Sequence, residues 1–220
     1  MQLKRVFRAI FNRLPLINRY EIHRRPWTFD GRRACERGRI IPVRPTGGLM
    51  RINYACGRNF FPGWLNVDSY RQGNPQGAVF ECIDLISRHP FPDASFEYGF
   101  AEDFLEHLSQ EDSLVFLSEC LRTLKPGGVL RLAFPGLEGV LAKHYPHGDW
   151  ETVNVAKEEA YTRFEHLHFY SRDELSLVAR HLGYSTVFFF EFCESTHEAL
   201  RGIEQRAAQR TLNTYAELTK

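Results

Sequence analysis

A chain of 220 residues with 43% apolar and 25% charged side chains can bury a core of its own. No run of about 18 apolar residues occurs, which argues against a membrane-spanning helix. Five cysteines (Cys35, Cys56, Cys82, Cys120, Cys193) without a CxxC pair fit reduced, mostly buried thiols and give no zinc site; no metal is expected. The net charge of +1 hides an asymmetry. Residues 1–50 carry twelve Lys and Arg against three acids, a net +9, and the remainder carries −8. Such a step marks a boundary between a basic arm and a mildly acidic domain. The arm and its linker are read as 1–47 and the domain as 48–220.

In chain order, Leu3, Val6, Phe7, Ile10, Phe11 and Leu14 recur at helical spacing with Lys4, Arg5, Arg8 and Arg13 between them. The basic residues break the apolar run and no small-residue cleavage site follows, so this is not read as a secretory signal. Pro15 stops the helix, and the prolines and glycines up to residue 47 predict an irregular connection. Short strands are then expected at Leu49–Ala55, Trp64–Asp68, Ala78–Leu85, Ser95–Glu102 and Val129–Pro135. Leu114, Leu117, Cys120, Leu121 and Leu124 predict a helix over 111–124, which Lys125-Pro126-Gly127-Gly128 ends. A second helix is expected over 171–184, with Ser171 as N-cap, Glu174 in the capping-box position and Gly183 closing it. A sixth strand at 185–193, a helix at 197–209 and a last strand at 210–218 complete the series. Strands alternating with helices imply an α/β domain with a parallel sheet.

In such a sheet ligands bind at the carboxyl ends of the strands, near the switch in strand order. Ala55-Cys56-Gly57 closes the first strand with small residues, which let a ligand approach the backbone. Asp68 ends the second strand, where an acid can accept from a ribose diol. Asp84 ends the third beside Leu85 and Ile86, a setting that suits an adenine ring. No GxGxxG follows the first strand, which disfavours a dinucleotide oxidoreductase.

The ordered phrases INYACG, PGWLNVD, IDL, PFPDASFEYGFAEDFLEHL, LSECLRTLKPGGVLRLAFP and HLHFYSRDEL…LGY resemble the class I, Rossmann-like S-adenosylmethionine-dependent methyltransferases over about residues 49–193. The ending, from ALRGIEQR to Lys220, resembles predicted methyltransferases of bacterial surface-polysaccharide gene clusters. The resemblance implies strand order 3-2-1-4-5-7-6 with the last strand antiparallel. It implies S-adenosylmethionine as cofactor, with Ala55, Cys56 and Gly57 by its methionine part, Asp68 on the ribose, Asp84 and Leu85 on the adenine. Phe100 and Ala101 would lie under the methyl group with Glu102. The chain departs from the family pattern at Ala55 and Asn59, which stand at glycine positions, and at Asn53, which stands where an acid is common. Only ten residues separate Gly57 from Asp68, so the usual helix between the first two strands is nearly absent.

Methyl transfer from a sulfonium needs alignment and, for a hydroxyl acceptor, a base or a metal. Glu102, Asp103 and His107 are the catalytic candidates, against structural packing of His107. His144, Tyr145, Trp150, His166 and His168 are candidates for acceptor binding, with packing as the plain alternative. Cys56 is not expected to act as a nucleophile. Arg201, Glu204 and Arg206 fit a solvated helix face, unless one of them faces the site. The expected activity is methylation at oxygen of a small molecule or saccharide. Two alternatives stand beside it: a catalytically weak or inactive partner of that fold, and an RNA or protein methyltransferase that uses the basic arm. The arm itself is read as a solvated or packed helix, then as a peripheral contact of residues 1–14 with an anionic membrane. Nucleic-acid binding is third, for want of a recognition motif. The expected location is the cytoplasm, with the inner membrane face as the place such an arm would touch.

Overall fold

The structure, a computed structural model, describes residues 50–70, 78–145 and 150–220, without the side chains of residues 150, 152 and 159. The helix expected near the N-terminus, the linker and the arm–domain boundary lie outside the described residues. Seven strands form one sheet: β1 (Arg51–Tyr54), β2 (Leu65–Asp68), β3 (Val79–Cys82), β4 (Phe96–Glu102), β5 (Leu124–Pro135), β6 (Thr186–Phe190) and β7 (Asn213–Thr219). Their order is β3-β2-β1-β4-β5-β7-β6, with β1 to β5 parallel and β7 antiparallel to both β5 and β6. This is the order the resemblance implies. Among the described residues four helices accompany the sheet: α1 (Gln110–Thr123), α2 (Leu137–His144), α3 (Trp150–Lys157) and α4 (Arg172–Leu182). A π turn at Glu158–Thr162 extends α3, and single 3-10 turns lie at Leu105–His107, Glu198–Leu200 and Ala207–Gln209.

Local chemistry accounts for the helix ends. The Ser109 hydroxyl caps α1 by accepting from Asp112 N at 3.1 Å. Ser171 Oγ accepts from Glu174 N at 3.1 Å, and Gly183 ends α4 at φ +110, a backbone that glycine adopts without strain. The Glu174 carboxylate does more than sit in a capping box. It accepts from Gln110 Nε2 at 3.0 Å and meets His168 Nε2 at 2.9 Å, tying the start of α1 to the entry of α4. At the other end of α1 the chain passes straight into β5, since Leu124 already pairs with Phe96. Gly127 N donates to Lys220 O at 3.1 Å, so the Lys125–Gly128 phrase is pinned to the end of β7.

The main core gathers Ile52, Phe96, Phe116, Leu117, Leu130, Leu175 and Leu218, all at most 1% exposed. Side chains of this size each stabilise the fold by about 1.5–3 kcal/mol on burial. A smaller core on the remaining sheet positions joins Trp64, Phe100, Val129, Leu200 and Tyr215.

The helix expected at 197–209 does not form. Gly202 takes φ +70 and its N–H donates to Cys193 O at 3.0 Å, which breaks the run into two single turns. The cause is a buried charge. Arg131, in the middle of β5, is 0% exposed and donates from Nε to Glu204 Oε1 at 2.7 Å and from Nη1 to Glu217 Oε1 at 3.3 Å. Its guanidinium also lies 5.5 Å from the Phe190 ring centre and 5.6 Å from that of Tyr215. Glu204 therefore is not on a solvated face: it is drawn inward. Arg201 donates to Ser195 O at 3.2 Å and Arg206 pairs with Asp103 at 2.9 Å. Glu204→Ala is expected to destabilise the domain by about 3–5 kcal/mol, because it strands Arg131 in the interior. Urea unfolding measures this, and a loss below about 1 kcal/mol would show that the pair does not hold the segment.

Candidate functional site

The loop between β1 and β2 replaces a helix with a buried polar network. Asn53 (2% exposed) and Asn66 (0%) sit side by side on the two strands. Asn53 Nδ2 donates to Asn59 O at 2.8 Å and to Asn66 Oδ1 at 3.0 Å. Asn66 Oδ1 also accepts from Phe61 N at 2.8 Å, and its amide nitrogen reaches the carbonyls of Phe61, Trp64 and Val79, each at 3.1 Å. Two amides thus satisfy the main chain of a loop that has no helical ladder of its own. Asn53 faces this loop, which explains an amide where the family commonly has an acid.

Above the network the loop crosses the strand ends. Ala55 adopts φ +48, a conformation that glycine accepts more readily, which matches the glycine usual there. Cys56 is 4% exposed, and its N–H donates to Val67 O at 3.1 Å. Burial, and then the charge of Asp68, push its thiol up to about 12. Gly57 takes φ +52, and a Cβ built there would meet nothing within 4 Å. Its N–H donates to Asp68 Oδ2 at 2.8 Å, while Asp68 Oδ1 accepts from Tyr70 N at 3.1 Å. The carboxylate is therefore fixed in orientation, partly exposed, and faces the open side of the small-residue turn. Asp84 is held in a similar way, by Ile86 N at 3.1 Å. Its neighbour Leu85 is 1% exposed and packs in the main core, so only its main chain is available to a ligand. Ile86, at 40% exposed, is the apolar side chain on the open side.

At the end of β4, Phe100 (2%) and Ala101 (3%) point into the two cores and likewise offer only main chain. Both oxygens of Glu102 lie within 3.2 Å of Gln205 N. Asp103 takes φ +51, pairs with Arg206 at 2.9 Å and accepts from Asn213 Nδ2 at 3.1 Å. Burial raises both carboxyl groups, with hydrogen bonds and Arg206 opposing it. The segment after β6 thus closes over the end of β4 and occupies two of the three catalytic candidates.

The third candidate, His107, lies in the turn Leu105–His107 beside His166, with ring centres 4.9 Å apart. Leu167 N and His168 N both donate to Glu106 O, at 2.7 and 3.2 Å, and clamp the two segments together. Burial lowers His107, and burial followed by His107 lowers His166 to about 4, which leaves the His166 ring neutral at pH 7. His168 is turned away toward Glu174. His144 is buried at the end of α2, and Tyr145 follows as its C-terminal cap. These two therefore flank α2 and are not in the pair of histidines. The side chain of Trp150 lies outside the described residues. Two groups escaped the reading of the sequence. Glu106, 1% exposed, has Oε2 without a partner, and the Tyr215 hydroxyl is buried without one. The phrases LEHL and EHLH, far apart in the chain, were the one sequence signal for the first; Tyr215 had none.

Comparison with known proteins agrees with the fold. Residues 53–132 match the family model described as a methyltransferase domain. A phosphoethanolamine N-methyltransferase of Plasmodium falciparum is 26% identical over 121 residues, covering 53% of this chain and 43% of that protein. The chain thus spans less than half the length of this curated relative. An S-adenosylmethionine-dependent methyltransferase from Mesorhizobium loti superposes with a TM-score of 0.53 at 16% identity, over 79% of this chain and 92% of the other. A possible histamine N-methyltransferase from Thermotoga maritima gives 0.51 at 15% identity, over 77% and 81%. Among the described residues no helix is long and apolar enough to cross a membrane. The strand order is that of the Rossmann-like methyltransferase fold, and residues 53–132 within it match the methyltransferase-domain model.

Proposed function

We propose that the protein is an enzyme that transfers the methyl group of S-adenosylmethionine to an oxygen of a small molecule or saccharide. The observation that carries this reading is the junction of Gly57 and Asp68 across the ends of β1 and β2. Space lies open where a Cβ of Gly57 would be, and an oriented, half-exposed carboxylate borders it. Each Asp68 oxygen spends one lone pair on a main-chain N–H and keeps another for a ribose hydroxyl. Asp84 with Ile86 offers an acid and an apolar face at the next strand end, which suits adenine.

The bound cofactor supplies a methyl group already activated on a sulfonium, so the protein's task is alignment and proton handling. Glu102 and Asp103 are engaged by the segment that covers them. We therefore assign the acceptor's proton to the cluster around His107, in the turn that follows β4. The amine acceptors in the names of the similar proteins belong to those proteins. An oxygen acceptor here is supported by the likeness of the chain's ending to polysaccharide-cluster proteins. The basic arm is read first as a solvated or packed helix, then as a contact for an anionic membrane surface, ahead of nucleic acid.

Calorimetry with S-adenosylmethionine is expected to give one saturable site. Asp68→Ala is expected to weaken it at least about tenfold, or about 1.4 kcal/mol. No binding at millimolar cofactor would favour a non-catalytic partner of this fold, and an unchanged affinity in the variant would put the ribose elsewhere. Cys56 gives a second readout. With its thiol at about 12, roughly one molecule in ten thousand carries the thiolate at pH 8. Cys56 is therefore expected to be alkylated more slowly than the more exposed Cys82, and more slowly still with cofactor bound. Peptide mass spectrometry reads both rates, and fast alkylation of Cys56 would contradict the buried turn.

A further inference from the structure

Glu106, His107 and His166 form a second constellation, separate from the strand ends that suit the cofactor. The Nε2 atoms of both histidines face the same carboxylate oxygen, Glu106 Oε1, at 3.7 and 4.0 Å. One ligand atom from each of the three residues lies within 4.8 Å of the other two. The carboxylate is 1% exposed, and no Lys or Arg pairs with it among the described residues. Its Oε2 has no hydrogen-bond partner, and neither has Nδ1 of either ring. A buried carboxyl group with an unpartnered oxygen is costly unless a proton or a ligand occupies it.

We propose that Glu106, His107 and His166 bind a divalent first-row transition ion of the zinc or cobalt type. The ligand chemistry decides the class of ion. Two imidazoles and one carboxylate suit Zn2+, Co2+ or Fe2+ and give a poor cage for Mg2+ or Ca2+, which take oxygen. Ligand atoms about 2.1 Å from a tetrahedral ion lie about 3.4 Å apart. The observed 3.7 and 4.0 Å are reached from there by small ring rotations. Three protein ligands leave a coordination position open, as in catalytic rather than structural sites. Access is through His107, whose side chain is 26% exposed against 10% for His166 and 1% for Glu106. The two main-chain hydrogen bonds onto Glu106 O hold the ligands from the two segments together before any ion arrives. An ion here would lower the pKa of a bound hydroxyl and so serve an oxygen acceptor. That role rests on the methyl-transfer reading; the binding does not.

The test uses the full, tag-free chain, stripped with chelator and titrated with Co2+ without S-adenosylmethionine. The expected result is one Co2+ per chain with a visible d–d band, displaced by Zn2+ and not by Mg2+. His166→Ala and Glu106→Gln are each expected to weaken binding by about tenfold or more. His107→Gln, a milder change at the most exposed ligand, should do the same with the thermal midpoint of the ion-free protein kept. Zn2+ should raise the midpoint of the wild type and not that of the variants. Absence of stoichiometric Co2+ binding by the wild type would overturn the proposal. Equal binding in the His107→Gln variant would overturn it too, by placing the ion on other histidines. Cofactor calorimetry is a separate measurement, so either idea can fail without the other.

Discussion

Two asparagines carry the part of this molecule on which a cofactor site depends. A Rossmann-like sheet normally spans from its first strand to its second with a helix, and the helix supplies its own hydrogen bonds. Here the connection is too short, and Asn53 and Asn66 take over the accounting. They satisfy the main chain at Asn59, Phe61, Trp64 and Val79 from a position 2% exposed or less. Fully satisfied networks of this kind specify one conformation, because any slip leaves buried polar groups unpaired. The turn from Ala55 to Gly57 is held in its left-handed backbone above this network, and with it the donor that orients Asp68.

A second constraint acts on the other half of the sheet. β7 runs antiparallel between β5 and β6, and Arg131 on β5 meets Glu217 on β7 in the interior. Glu204 completes the charge balance and pulls the segment after β6 inward. That segment then delivers Gln205 N to Glu102, and Arg206 to Asp103. The buried pair and the covered strand end are thus one feature. Its consequence is that Glu102 and Asp103, at the end of β4, are already engaged by main-chain and side-chain partners.

Much of this was legible in the chain. The sheet followed from alternating short strands and helices, and the caps at Ser171 and Gly183 followed from local chemistry. The strand pattern also put Asp68 at the end of β2 and Asp84 just past β3, which is where they lie. What was not legible depends on partners far apart in the chain. Helical spacing at 197–209 gave no hint of Arg131, the charge that outweighs local propensity there. Leu85 and Phe100 read as lining residues by their place at strand ends, yet their side chains alternate into the cores. Glu106 passed unnoticed because its meaning lies in His166, which a clamp of main-chain hydrogen bonds brings to it.

A structure of the complex with S-adenosylhomocysteine tests the central claim most directly. The account predicts the ribose hydroxyls on the Asp68 carboxylate, the amino-acid end over Ala55–Gly57, and the adenine between Asp84 and Ile86. It also predicts that the Asn53–Asn66 network stays unchanged from the ligand-free arrangement. A cofactor bound elsewhere, or a turn that rebuilds on binding and releases Asp68 from Gly57, would contradict it.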